Sequence, residues 1–354
     1  MKKKVLLGMS GGVDSSVSAI LLQEAGYEVI GATMKLWKEE NPNGLCGSDS
    51  SVNDAKKVCD KLGIKHYVFN FEKEFNDCVI NDFISCYNKA QTPNPCVMCN
   101  KHLKFGYLYK KALELGCEYI ATGHYARAEY DEEYKEYVLK KSSAENKDQT
   151  YFLYNISKDI ISKAIFPLQS FVEKKDIRKI AKDHGLELSE KKDSQEICFI
   201  SDNDYTKFLL KSSKDEVKQG NIVSTNGEIL GKHKGLIYYT IGQRKGLGLT
   251  YKEPLYVVKL DLEKNEVIVG TERELYSKEL YATNLNFLLL DRPKEKMKVK
   301  AKIRYRSKEA DALIIPINND KVKIEFEEKQ RAITPGQSVV FYIKDVVIGG
   351  GIII

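Results

Sequence analysis

Lys4-Val5-Leu6-Leu7-Gly8-Met9-Ser10-Gly11-Gly12-Val13-Asp14-Ser15-Ser16 is a short apolar run that passes into a glycine-rich turn. Val17, Ile20, Leu21 and Leu22 follow at helical spacing, and the pattern stops at Gly26. Strand, tight loop and helix are predicted in succession. Glycines let such a loop turn sharply and approach a ligand. The first amides of the helix are orphan donors at the positive end of its dipole, so phosphate oxygens suit the place. A Ser/Gly turn that merely caps its own helix has the same composition, and the Gly-Lys-Ser/Thr of a Walker loop is missing.

Outward from this loop the pattern alternates. Strands are predicted at 28–34, 65–71 and 119–122, and helices at 51–62, 73–88 and 101–115. Such alternation implies a parallel sheet covered on both faces, with ligands beyond the carboxyl ends of the strands. Ser170 and Glu173 have the spacing of a capping box, for a helix ending near Gly185. After about residue 206, glycine-punctuated strands take over, with loops at 231–235 and 242–248. Strands then follow at 296–307, 311–317, 321–326, 338–343 and 345–354. The expected fold class is α/β: a parallel-sheet domain over 1–206, a small β-rich central domain over 207–275 and a C-terminal β-barrel over 276–354. A length of 354 residues agrees with more than one domain, at roughly 100–200 residues each.

With 42% hydrophobic and 30% charged residues, wholesale disorder is excluded. No apolar run approaches the roughly 18 residues of a membrane helix, and the N-terminal apolar stretch is too short for a signal peptide. A cytoplasmic location without membrane contact is therefore expected. The net charge of +6 is matched by residues 291–310 alone, which hold nine Lys/Arg and three Asp/Glu. Lys296, Lys298, Lys300, Lys302, Arg304, Arg306 and Lys308 alternate there with mostly apolar residues, one face of a strand. The row reads either as a rail for a polyanion or as a lysine-blunted edge strand.

Eight cysteines are too dilute for a disulfide scaffold, and clustered ones point to metal or to thiol chemistry. Thr92-Pro93-Asn94-Pro95-Cys96-Val97-Met98-Cys99-Asn100 pairs two of them just before an expected helix, where a thiol becomes a better nucleophile. Cys198 lies between Ile197 and Phe199. Taken alone it reads as a small buried hydrophobe.

The Ser-Gly-Gly-x-Asp-Ser string at 10–15 resembles the PP-loop of enzymes that split ATP to AMP and pyrophosphate. Further segments are Thr-Pro-Asn-Pro at 92–95, Ala-Thr-Gly-His-Tyr at 121–125, Lys-Asp-Gln at 147–149 and Asp-Ser-Gln-Glu-Ile-Cys-Phe-Ile at 193–200. Ile-Gly-Gln-Arg-Lys-Gly-Leu-Gly at 241–248 and Ala-Ile-Thr-Pro-Gly-Gln-Ser-Val-Val-Phe-Tyr at 332–342 complete the series. In this order, over nearly the whole chain, they resemble the bacterial tRNA-specific 2-thiouridylases.

The resemblance implies a PP-loop domain, ATP with Mg²⁺ near Asp14, a tRNA wobble uridine as substrate and 2-thiouridine as product. It implies an ATP site lined by Gly8, Met9, Ser10, Gly11, Gly12, Val13, Asp14, Ser15, Met34 and Gly123. It puts the persulfide on Cys198 and makes Cys99 the partner thiol that attacks it to release sulfide or closes a disulfide after transfer. Asn94, Pro95 and Cys96 would contact the target base, and His124, Lys147, Asp148, Gln149, Arg304, Tyr305 and Gln337 would touch tRNA. A cysteine desulfurase, direct or through relay proteins, is the implied sulfur donor. Cys96 stands where the family's well-known form has Asp. Three thiols, Cys96, Cys99 and Cys198, therefore leave a [4Fe-4S] cluster open beside metal-independent persulfide chemistry, and Cys96, Cys99 and His102 leave zinc open. Other functional classes are another PP-loop tRNA-modifying or amidating ligase, and a non-catalytic RNA-binding protein.

Overall fold

The computed structural model describes residues 2–37, 47–186, 197–200, 204–212 and 217–354. They form two compact units. The first comprises Met1–Val79, Cys96–Asn203 and Asp345–Ile348, and the second Ile80–Pro95, Asp204–Lys344 and Gly349–Ile354.

The first unit is built on strands β1 (Lys4–Gly8), β2 (Glu28–Lys35), β3 (Lys65–Asn70), β4 (Tyr119–Ala121) and β7 (Ala164–Ile165), with β5 (Ala126–Asp131) and β6 (Glu136–Lys141) forming a hairpin. The sheet is parallel throughout, in the order β3-β2-β1-β4-β7. Val5, Leu6 and Leu7 are wholly buried because helices cover both faces, which is why β1 reads as a continuous apolar run. Helix α1 (Val13–Glu24) packs Val17 and Ile20 into the same core as α2 (Asp49–Leu62). Ser48 caps α2 by accepting the Ser51 amide at 3.3 Å. The chain goes from β1 to β2 on one side and later to β4 on the other. The strand order thus reverses beside the carboxyl end of β1, where open α/β sheets bind their ligands.

Several local expectations are corrected. The helix expected after the cysteine pair begins at Pro95, so Cys96 and Cys99 lie inside it. Proline fits a first helical position because its missing N–H would have no partner there. From Cys99 to Tyr107 this helix is a π-helix, and so is Asn76–Ile80. The helix Lys174–Asp183 starts after Glu173, without a side-chain cap, so Ser170 does not form the expected capping box. A true one, Thr271 with Glu274, caps a single turn.

The second unit contains the helix Tyr205–Ser212, β8 (Gly220–Ser224), β9 (Ile229–His233), β10 (Tyr256–Asp261) and β11 (Glu266–Gly270), the four strands ordered β10-β11-β8-β9. Then come β12 (Tyr276–Phe287), β13 (Met297–Lys302), β14 (Ala310–Pro316), β15 (Val322–Arg331), β16 (Ser338–Ile343) and β17 (Val346–Ile353). They run β12-β15-β14-β13-β16-β17, and pairing of β12 with β17 closes the barrel. Strand β13 buries Val299 and Ala301 and exposes Lys298 and Lys300, as the alternation predicts. It pairs with β14 on one side and β16 on the other, so the edge-strand explanation of the lysines is overturned. The strand also ends at Lys302, short of the expected 307, because the Ser307 hydroxyl accepts the Arg304 amide (3.2 Å) and donates to its carbonyl (2.9 Å), making a turn.

Candidate functional site

In the glycine loop, Gly11 has φ +68°, and a Cβ there would lie 2.6 Å from the Ser51 carbonyl oxygen. No other residue fits this position without moving α2. Gly12 is the N-cap of α1 and makes no side-chain cap to the helix's first amides. The serines turn inward. Ser15 Oγ accepts the Ser10 amide (3.2 Å) and donates to the Gly12 carbonyl (3.0 Å), which Ser16 also bonds (2.9 Å). Met9, Val13 and Ser15 are buried and shape the loop, while Ser10, Gly12 and Asp14 remain accessible. Met34 is buried in β2. Gly123 lies against the first turn of α1, where a Cβ would come within 3.0 Å of the Ser15 amide. An N-cap without a side-chain cap, a close-packed glycine turn and the dipole of a twelve-residue helix fit a nucleotide's phosphates.

Two further residues complete the loop. Lys174, at the start of its helix, places Nζ 2.7 Å from both carboxylate oxygens of Asp14. The Tyr125 hydroxyl donates to Asp14 Oδ1 at 3.1 Å. Tyr125 is itself held by Gln149, whose Oε1 accepts its amide (3.0 Å) and whose own amide reaches its carbonyl (2.9 Å). The Lys147 ammonium stands over its ring at 5.3 Å. Asp148 is buried and accepts from the Ser142 amide (3.0 Å) and Thr150 Oγ1 (2.6 Å). Lys147 and Gln149 thus support Tyr125 and, through it, Asp14. Sequence reasoning missed Lys174, which lies 160 residues from Asp14 and in no recognised string. It quoted Tyr125 within Ala-Thr-Gly-His-Tyr without giving it a role.

His124 packs near the rings of Phe105 and Phe166, each 6.3 Å away. Lys104 Nζ, which can only donate, lies 3.3 Å from Nε2, and Thr122 Oγ1 is 2.7 Å from Nδ1. Nε2 therefore accepts and the proton sits on Nδ1. Burial, and then the Lys104 charge, hold this imidazole well below its ordinary pKa. Burial lowers His66 as well. With an unfolded value of about 6.5, the unfolded chain binds the extra proton as the pH drops. The stability contributed by the neutral ring is present above that value and lost below it. Tm should therefore fall from about pH 7.5 to about pH 5.5, and less steeply in His124→Gln. An identical pH dependence in that variant would contradict this assignment of His124.

Cys96 is exposed and Cys99 half-buried, separated by the buried Val97. Asn100, buried beside them, donates to the Phe152 carbonyl at 3.0 Å. A π-helical start at Cys99 widens the turn, a feature frequent at functional sites. Cys198 is half-buried in the turn Ile197–Ile200, next to Phe199, whose ring meets Phe75 edge-on at 5.7 Å. The expected motif residues 192–196 before it lie outside the described residues. Among the described residues no group of three or more His, Cys, Asp or Glu is disposed to hold a metal ion. Cys96, Cys99 and Cys198, all described, are thus not gathered as cluster ligands here, nor are Cys96, Cys99 and His102 as a zinc site.

In the second unit, Thr92–Pro95 is stapled to the turn before β16. The Thr92 amide donates to the Pro335 carbonyl (2.9 Å), and Gln337 Nε2 donates to the carbonyls of Thr92 and Pro93 (3.0 Å each). Gly336 has φ +90°, and a Cβ there would sit 2.8 Å from the Thr92 backbone. Arg304 bonds the Thr334 hydroxyl at 2.6 Å and the Ala332 carbonyl, fixing the same turn. Lys302 lies over the Tyr305 ring at 5.7 Å. Gln337 and Arg304, expected on tRNA, hold the segment that carries Asn94 and Pro95.

Family profiles match in succession along the chain. One described as the tRNA methyl transferase HUP domain covers residues 3–202, a tRNA methyl transferase PRC-barrel domain 206–271, and an aminomethyltransferase beta-barrel domain 277–353. A tRNA-specific 2-thiouridylase MnmA of Acetivibrio thermocellus is 53% identical, over 99% of each chain. Proteins of the same name are 50% identical in Clostridioides difficile, over 100% of this chain and 98% of the relative, and 52% in Clostridium botulinum, over 99% and 98%. No helix among the described residues is long and apolar enough to cross a membrane. With relatives at this identity over its whole length, the chain belongs to the tRNA-specific 2-thiouridylase family.

Proposed function

We propose that this protein is a tRNA uridine 2-sulfurtransferase that uses ATP. The observation carrying the reading is the uncapped, glycine-floored start of α1 in a chain that also has a cysteine pair at a π-helical start. The C2 oxygen of the wobble uridine attacks the α-phosphorus of ATP, the α–β bridging P–O bond breaks and pyrophosphate leaves. A poor leaving group, the carbonyl oxygen, becomes a good one, AMP, and one hard displacement becomes two easier steps. The α1 amides hold the departing pyrophosphate, and Lys174 offsets its charge. Asp14, engaged by Lys174 and Tyr125, orients that cation. A Mg²⁺ held beside Asp14 would offset the charge of the leaving pyrophosphate in the same way.

Sulfur arrives as a persulfide on Cys198, loaded from a cysteine desulfurase or a relay protein. The Cys99 thiolate attacks the inner sulfur, a Cys99–Cys198 disulfide forms, and the released hydrosulfide attacks C2 as AMP leaves. A cellular thiol then reduces the disulfide. This route uses two cysteines and no cluster. Asn94, Pro95 and Cys96 face the target base, with Gln337 and Arg304 as positioning residues behind them. Lys298 and Lys300 offer charge to the RNA backbone, although Lys300 also pairs with Asp311 at 3.1 Å. Iron-depleted protein given ATP, substrate tRNA and a persulfide donor should release pyrophosphate only when tRNA is present, in step with 2-thiouridine. Activity that returns only with iron would overturn the metal-independent route.

A further inference from the structure

The Ile-Gly-Gln-Arg-Lys-Gly-Leu-Gly segment is left without a role by the chemistry above, and it forms a distinct hollow in the second unit. The loop before β10 is held from within. The Thr240 amide donates to Gln243 Oε1 (3.0 Å), the Val257 amide to the Gln243 carbonyl (2.9 Å), and Gln243 Nε2 to the Lys245 carbonyl (3.1 Å). Leu247 and Leu255 anchor it in a core with Val257, Val267 and Val269. Over this floor lies a concavity of about 400 Å³ bordered by Arg244, Tyr251, Lys252 and Glu253. Arg244 and Lys245 are exposed, Tyr251 is 41% exposed, and Lys252 Nζ stands 6.0 Å from the tyrosine ring. A loop held by its own hydrogen bonds thus presents two cations, Arg244 and Lys252, and one carboxylate, Glu253, around an open aromatic face.

We infer that this hollow binds one unpaired nucleotide of the RNA substrate, its base stacked on Tyr251 and its phosphate between Arg244 and Lys252. The inference rests on the proposed function for the identity of the RNA. Base–aromatic stacking with adjacent cations is how proteins hold single-stranded nucleic acid without reading sequence. The volume is at the lower end of small-ligand pockets, roughly 300–1,000 Å³, which suits a mononucleotide rather than a folded partner. An exposed tyrosine with arginine and lysine beside it, against a single carboxylate, favours a π-face with a negative charge over a peptide.

Affinity of the full-length protein for substrate tRNA, measured at several salt concentrations, tests this. Arg244→Gln with Lys252→Gln should weaken binding about tenfold and lower the log–log salt slope by about 1.4, two single-strand phosphate contacts at about 0.7 each. Tyr251→Ala should weaken binding at least about fivefold with the slope unchanged, and Tyr251→Phe should bind as the parent does. ATP affinity and Tm should not move. Unchanged tRNA affinity and slope in the charge variant would overturn the inference. So would normal tRNA binding with activity lost only when sulfur comes from a protein donor, which would make the hollow a protein-docking site. Failure of the parent protein to thiolate tRNA would instead count against the proposed function, and the binding series would still decide whether the hollow takes RNA.

Discussion

Cys198→Ser protein is expected to release pyrophosphate in the presence of tRNA and to make no 2-thiouridine. In the proposed mechanism the uridine oxygen and ATP meet at the glycine loop, and neither needs a thiol there. The second step needs Cys198 to carry the sulfur atom, because a serine hydroxyl forms no persulfide. Cys99→Ser should fail at the same stage for another reason. Its hydroxyl cannot attack the inner sulfur, so the persulfide persists on Cys198 and is detectable by mass. Loss of product in both variants should exceed a factor of about 1,000, since each removes a bond-making atom. Separation on a mercury-containing gel reads thiolated tRNA directly. Near-normal thiolation by either variant would contradict its assignment.

Lys174→Met is expected to slow tRNA-dependent pyrophosphate release by about 100- to 1,000-fold, the usual cost of removing one preorganised group that stabilises developing charge. Affinity for tRNA should be unchanged. Lys174→Arg keeps a cation at the carboxylate and should lose much less. The pair with Asp14 is largely shielded from water, at 16% and 29% side-chain exposure. Methionine therefore leaves the carboxylate without its cation, and Tm should fall as well. Asp14→Asn with Lys174→Met restores neutrality and should recover Tm but not the rate. If the double variant regains the rate, Lys174 is only a structural partner of Asp14.

The glycine loop was legible because its physics is local. A buried strand, a sharp turn and a helix start each leave their mark within a few residues, and Gly11 occurs where backbone must come close. The cysteine pair was equally legible as residues but not as geometry. Pro95 starts the helix earlier than expected, and nothing in the string Cys99–Tyr107 announces a π-helical turn. What escaped was long-range. Lys174 meets Asp14 across 160 residues, and Gln337 meets Thr92 across 245. Such partners leave no periodicity, and a lysine at a helix start reads like any solvated one. The alternating lysines correctly showed a strand with one apolar face. Whether that strand is an edge depends on which neighbours pair with it, and β14 and β16 both do. The β5–β6 hairpin was not predicted, because its alternation is weakened by charges that pair across it, such as Lys140 with Glu129 and Asp131.

The central claim is most directly tested by supplying the purified protein with ATP, substrate tRNA and a persulfide donor carrying isotopically labelled sulfur, and analysing the wobble nucleoside by mass spectrometry. The account predicts a uridine in which labelled sulfur replaces the C2 oxygen, with one pyrophosphate and one AMP released for each sulfur incorporated. An unmodified wobble uridine, or AMP formed without sulfur entering the base, would contradict it.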